Sequence, residues 1–123
     1  MKYGFINPQN KNQIESAILR NNPDELLYAV LSAALFSDDP VWAEDVCMRL
    51  CNHEQFNVRG NAILGFAHIA LIHGRLNAEK VKPLIQAALK DESEYVRGQA
   101  ESAVDDTTTF LGCKIKRPGA GRI

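Results

Sequence analysis

The amino-acid sequence predicts an all-α protein, a short α-solenoid of about three antiparallel helical hairpins. Three observations predict it. The tripeptide Val-Arg-Gly occurs twice, in "NVRGNAILGFAHIA" (57–70) and "YVRGQAESAVDDTT" (95–108), at a separation of 38 positions. Sliding the chain by that amount sets Val58, Arg59, Gly60 and Ala62 on Val96, Arg97, Gly98 and Ala100, and upstream sets Val46, Cys47, Leu50 and Cys51 on Leu84, Ile85, Ala88 and Leu89. The agreement therefore spans two helices, which is the signature of a repeated supersecondary unit. Within each segment the apolar residues recur at intervals of three and four, the spacing of a helix that buries one face.

Each element follows in order. A first outer helix is drawn from "NKNQIESAILR" and stops at the breaker "NNP". The inner helix of this unit begins near Asp24 and contains "AVLSAALF" (29–36), which matches "AILGFAHI" (62–69) at an offset of 33. "SDDPVWAEDVCMRLC" opens the second unit, with Ser37 or Asp38 as cap candidates and Pro40 tolerated in a first turn. The short turn "NHEQF" leads into the second inner helix. In the linker "HGRLNAEK", Gly74 is placed to stop one helix and Asn77 to cap the next. "VKPLIQAALK" and the helix after "DESEY" make the third hairpin. Six helices result, with breaks near 21–23, 37–39, 52–56, 74–77 and 91–94.

Composition bounds the rest. At 46% apolar residues, 123 residues suffice for one core without staples. Three cysteines are too few and odd in number for a disulfide scaffold, and suit a reducing compartment. The first twenty residues lack a signal-peptide apolar stretch, and no run approaches the roughly 18 apolar residues of a membrane span, so the expected location is cytoplasmic. Net charge is −1, but the segment "KIKRPGAGRI" (114–123) carries Lys114, Lys116, Arg117 and Arg122 without an acid. The expected division is a single domain over 1–113 and a flexible basic tail over 114–123. The body is then distinctly acidic, with 15 acids against 10 lysines and arginines. Neither a membrane nor a nucleic-acid partner is expected, since four tail cations without aromatics make a poor nucleic-acid arm.

The third unit, with Pro83, Asp91, Val96, Arg97, Ala100 and Ala103, resembles the HEAT repeat: a proline in the first helix, an aspartate in the turn, then Val-Arg and small apolar residues in the second helix. The second unit departs from that pattern, with Asp45 at the place of Pro83 and His53 at the place of Asp91. Physically, Val58 and Val96 are expected to enter the core, Arg59 and Arg97 to pair with turn acids or carbonyls, and Gly60 and Gly98 to admit a neighbouring backbone. The repeated tripeptide thus reads as structural.

The candidates for chemistry are few. Cys47 and Cys51 share a helix face and, with His53, could be offered to a soft metal, but the repeat alignment sets them where Ile85 and Leu89 stand, as core residues. His68 and His73 diverge by roughly 140° around one helix. Paired acids such as Asp38 and Asp39, Glu44 and Asp45, or Asp105 and Asp106 point to different faces or to helix starts. No phosphate loop, zincin motif or nucleophile elbow occurs, so neither enzyme activity, nor a metal, nor a cofactor is expected.

What remains is a surface. The inner helices of a solenoid line up, and equivalent positions form a ladder on the concave face. The alignment sets Tyr28 beside Asn61 and Gln99, and Leu35 beside His68 and Asp106. The expected partner-binding residues are Tyr28, Asn61, His68, Gln99, Ser102, Asp105 and Asp106. Glu101, Val104 and Thr107 replace Ile63, Phe66 and Ile69, as expected where a stack ends on a polar outer face. The chain also resembles small bacterial HEAT-like immunity proteins that neutralise toxins of contact-dependent growth inhibition systems. That resemblance implies a one-to-one complex with a basic toxin domain such as a nuclease, and the acidic body suits it. A general scaffold and, from another class, a bilin-lyase-like protein are the alternatives.

Overall fold

A computed structural model describes residues 8–111, and all regular secondary structure among them is helical: α1 (Lys11–Arg20), α2 (Pro23–Phe36), α3 (Pro40–Leu50), α4 (Phe56–His73), α5 (Ala78–Ala88) and α6 (Glu94–Leu111). The six helices and five breaks fall where the punctuation residues place them. Pro23 and Pro40 occupy first turns, where the missing N–H costs nothing. Gly74 ends α4 in the left-handed region at φ 66°, a conformation cheap for glycine, and Asn77 caps α5 by accepting from the Lys80 amide. At α3 the cap differs from the two candidates. Asp39 takes the position and accepts from the Trp42 amide, while the Ser37 hydroxyl accepts from the Asp39 amide. Pro40 at the first helical position dictates this choice, because the cap must directly precede it. The expected tail, the domain limit at 113 and Cys113 lie outside the described residues.

The helices form two layers. α2, α4 and α6 lie side by side, and α1, α3 and α5 cover them, α3 touching both α2 and α4 and α5 touching both α4 and α6. The core is one cluster running through all three hairpins, from Ile14 and Leu26 through Val46, Phe66 and Ile85 to Val96 and Val104. Two expectations about the last unit are corrected here. Val104 and Thr107 are 1% and 0% exposed, so of the three substituted positions only Glu101 faces out. Thr107 tolerates its burial because its hydroxyl donates to the Ala103 carbonyl at 2.7 Å.

The two arginines of the repeated tripeptide join the hairpin turns. Arg59 makes a two-pronged ion pair with Asp91, both contacts at 2.8 Å, and its remaining nitrogen donates to the carbonyls of His53 and Glu54. Arg97 donates to the Asp91 carbonyl at 2.7 Å. Asp91 also accepts from the Ser93 amide two residues on, and His53, at the aligned place in the preceding turn, does the same through Nδ1 for the Gln55 amide. With Nδ1 accepting, the ring proton sits on Nε2, which lies 2.8 Å from the Asn21 side-chain oxygen in the first turn. A histidine thus substitutes for the aspartate without breaking the chain of contacts Asn21–His53–Arg59–Asp91–Arg97.

The glycines behave differently from expectation. Nothing lies within 4 Å of where a Gly98 Cβ would stand, so no close approach requires that glycine. At Gly60 the space is taken by a side chain rather than by backbone, with Tyr95 Cε2 at 2.8 Å from a virtual Cβ. The tightest approach is at Gly65, where a Cβ would meet Cys47 Sγ at 2.5 Å.

Cys47 and Cys51 are core residues, 0% and 4% exposed. Burial pushes the Cys47 thiol far above its ordinary range and the Cys51 thiol up to about 11. Since the thiolate is the reactive form, both should be inert near neutrality. In a Cys113→Ser variant, a maleimide or aromatic disulfide reagent should leave the native protein unlabelled and modify two thiols after denaturation. Rapid native labelling of both would contradict this packing.

Candidate protein-binding face

Positions aligned by the repeat stand in rows across the solvent side of the inner layer, and the expected contact residues divide into two groups along it. Toward the helix N-termini, Tyr28 on α2 is 55% exposed, whereas Asn61 on α4 is only 6% exposed. Asn61 is therefore not a surface contact as expected. Its amide donates to the Asn57 carbonyl at 2.8 Å and to the Tyr95 hydroxyl at 2.7 Å, and Gln99 donates to the same hydroxyl at 3.0 Å. The row is closed over by Tyr95, which reaches from α6 onto α4 because Gly60 has no side chain to obstruct it. Phe56 meets Tyr95 edge to face, with centroids 5.7 Å apart.

Toward the C-termini, His68 and Asp106 form the second group. Burial lowers the His68 pKa, and the nearby Asp106 carboxylate opposes that shift, so the two side chains sense one another across α4 and α6. Leu35 and Leu64 are half-buried beside them, and Ser102 and Asp105 are exposed. The sequence reading missed Phe56 and Tyr95. Their signal was present, since each of the polar turns "NHEQF" and "DESEY" ends in an aromatic residue.

Charge is divided between the layers. Inner helices α2, α4 and α6 carry Asp24, Glu25, Glu94, Glu101, Asp105 and Asp106, and their two strong cations are Arg59 and Arg97, both turned onto Asp91. Glu25 pairs with Arg20 of α1. Outer helices hold both signs in contact: Glu15 binds Arg49 and the Trp42 indole, which pulls its carboxyl down to about 2, and Lys11 pairs with Asp39. A cleft of about 430 Å³ between α3 and α5 is likewise mixed, with Glu44 and Asp45 facing Arg75 and Lys80. Among the described residues no cluster of three His, Cys, Asp or Glu side chains could hold a metal ion, and no helix is long and apolar enough to cross a membrane.

No protein-family model matches the chain, and comparison with curated proteins gives no match. A solved structure does resemble it: a chain of the crystal structure of a CDI complex from Cupriavidus taiwanensis LMG 19424, with a TM-score of 0.76 and 22% sequence identity over 90% of this chain and 98% of that one. The likeness is one of fold. It runs through nearly the whole of both chains.

Proposed function

We propose that this protein is a non-catalytic binding module, an immunity protein that neutralises a cognate toxin in the cytoplasm by holding it in a one-to-one complex. The observation that carries this reading is the division of charge between the layers. The inner layer turns carboxylates to solvent along α6 and at the start of α2, and it spends both of its arginines on the Asp91 turn. Such a face attracts a basic protein surface and speeds encounter with it. A toxin that acts on nucleic acid must itself present a basic cleft, which an acidic partner can fill. The occurrence of the same fold in a CDI complex supports the reading, as does the HEAT-like pattern of the third unit. In this role the ladder residues Tyr28, Gln99, Ser102, His68, Asp105 and Asp106 are contacts, and Asn61 supports them from below.

The test is neutralisation. A toxin domain encoded beside this chain should arrest growth when expressed alone, and co-expression of the protein should restore growth through a stable one-to-one complex without turnover. Growth arrest that persists despite co-expression, or a complex with catalytic release, would overturn the proposal.

A further inference from the structure

Resting on that reading, we infer that Tyr28, Phe56 and Tyr95 form a seat for an arginine side chain of the partner protein. Large aromatic side chains are normally withdrawn from water, yet Tyr28, Phe56 and Tyr95 are 55%, 50% and 42% exposed. Two of them are fixed in place. The Tyr95 ring edge lies where a Gly60 Cβ would be, its hydroxyl accepts from both Asn61 and Gln99, and its ring meets Phe56 at an interplanar angle of 81°. A side chain held by the fold before binding loses little entropy on binding, which is what makes an aromatic residue an effective anchor.

The repeat register supplies the other wall. Tyr28 on α2 is aligned with Asn61 on α4, which Tyr95 covers, so Tyr28 stands on the helix next to the one that carries the Tyr95–Phe56 pair. Tyr28 stands on α2, and Phe56 and the Tyr95 ring lie over the adjacent α4, whose axis is roughly 8–10 Å away, so the two walls are about one such spacing apart. That is wide enough for one protruding side chain. Carboxylates stand at the same end, Asp24 one turn before Tyr28 and Glu94 directly before Tyr95, both exposed. They also offset the positive ends of the α2 and α6 dipoles, which would otherwise disfavour a cation here.

Aromatic faces flanked by carboxylates select a cation that is planar and weakly hydrated. A guanidinium can stack on a tyrosine ring while its N–H groups reach carboxylates, whereas a lysine ammonium keeps its water and contributes only a point charge. The occupant is therefore arginine on a basic protein loop.

Hexa-arginine and hexa-lysine serve as probes, followed by NMR of the tyrosine and phenylalanine rings in 150 mM salt. Saturable shifts are expected at Tyr28, Phe56 and Tyr95, with hexa-arginine binding at least threefold more tightly than hexa-lysine. Phe56→Ala should abolish the preference, and Gly60→Ala should do so by displacing the Tyr95 ring without removing any aromatic group. Outer-layer Glu79→Gln should leave it intact. Equal binding of the two peptides, shifts spread evenly over the acidic surface, or an unchanged preference in Phe56→Ala would overturn the seat. The two readings fail separately. Toxin neutralisation that survives Phe56→Ala and Tyr28→Ala at full affinity removes the seat and leaves the immunity role. An arginine-selective seat in a protein that neutralises no toxin leaves the seat and removes the role.

Discussion

Arg59→Ala should lower the unfolding free energy by about 2–3 kcal/mol, a fall in Tm of roughly 8–12 °C for a domain of this size. The arginine and its partner Asp91 are only 14% and 16% exposed along their side chains, so deletion leaves a largely desolvated carboxylate facing empty space. It also releases the carbonyls of His53 and Glu54. Arg97→Ala, which removes a single hydrogen bond to the Asp91 carbonyl, should cost about 1 kcal/mol. Acid titration isolates the ion pair. The Arg59 guanidinium holds the Asp91 carboxyl below its ordinary value of 3.8, so its contribution is fully present above that pH and is lost as pH falls through the lowered folded value. The stability gap between the wild type and Asp91→Asn should therefore narrow below about pH 3.8. Chemical denaturation at pH 7 and at stepped acid pH provides both measurements. An Arg59→Ala variant as stable as the parent would show that the turns are held by packing alone.

Changing Asp105 and Asp106 together to Lys should slow association with a basic toxin partner by about tenfold or more at low ionic strength, with helicity unchanged. Four units of charge are reversed on the acidic run of α6, and the difference should shrink as salt screens it over the Debye length. His68→Ala and Tyr28→Ala should act instead on dissociation, with losses of about 2 kcal/mol or more if each sits at a packed centre. Removing residues 114–123 should leave binding in place, because that segment has the wrong sign for a basic partner. Stopped-flow association at several salt concentrations distinguishes these effects. A wild-type association rate in the double variant would move the interface off α6, and loss of binding on truncation would point to an acidic partner.

The fold was legible in the sequence because its breaks are written in residues with local consequences. Pro23, Pro40, Gly74 and Asn77 act within their own turns, and local physics decides them. The α3 cap was the harder case, because Ser37, Asp38 and Asp39 can all cap and only the constraint from Pro40 chooses among them. The ladder register was legible too, since it follows from the 38-residue offset. Depth within the ladder was not. Asn61 looks like any polar surface residue until Tyr95 crosses from the next helix to cover it, and that crossing is a tertiary event. Gly65 gave no signal for the same reason. Its requirement comes from the position of Cys47 Sγ on a different helix.

The middle of helix α4 is the most enclosed part of the fold, in contact with α2, α3, α5 and α6, with Val58, Ile63, Phe66 and Ile69 all at 1% exposure or less. In a long solenoid each repeat touches only its neighbours, and ends can melt while the middle persists. Here the middle is a single helix that both ends share. Neither the first nor the third hairpin can detach without stripping a face of α4, so the amides of α4 should exchange with solvent only through global unfolding, while those of α1 exchange through fraying. A surface built from residues of α2, α4 and α6 therefore keeps its geometry for the lifetime of the folded state, and a partner meets it already assembled.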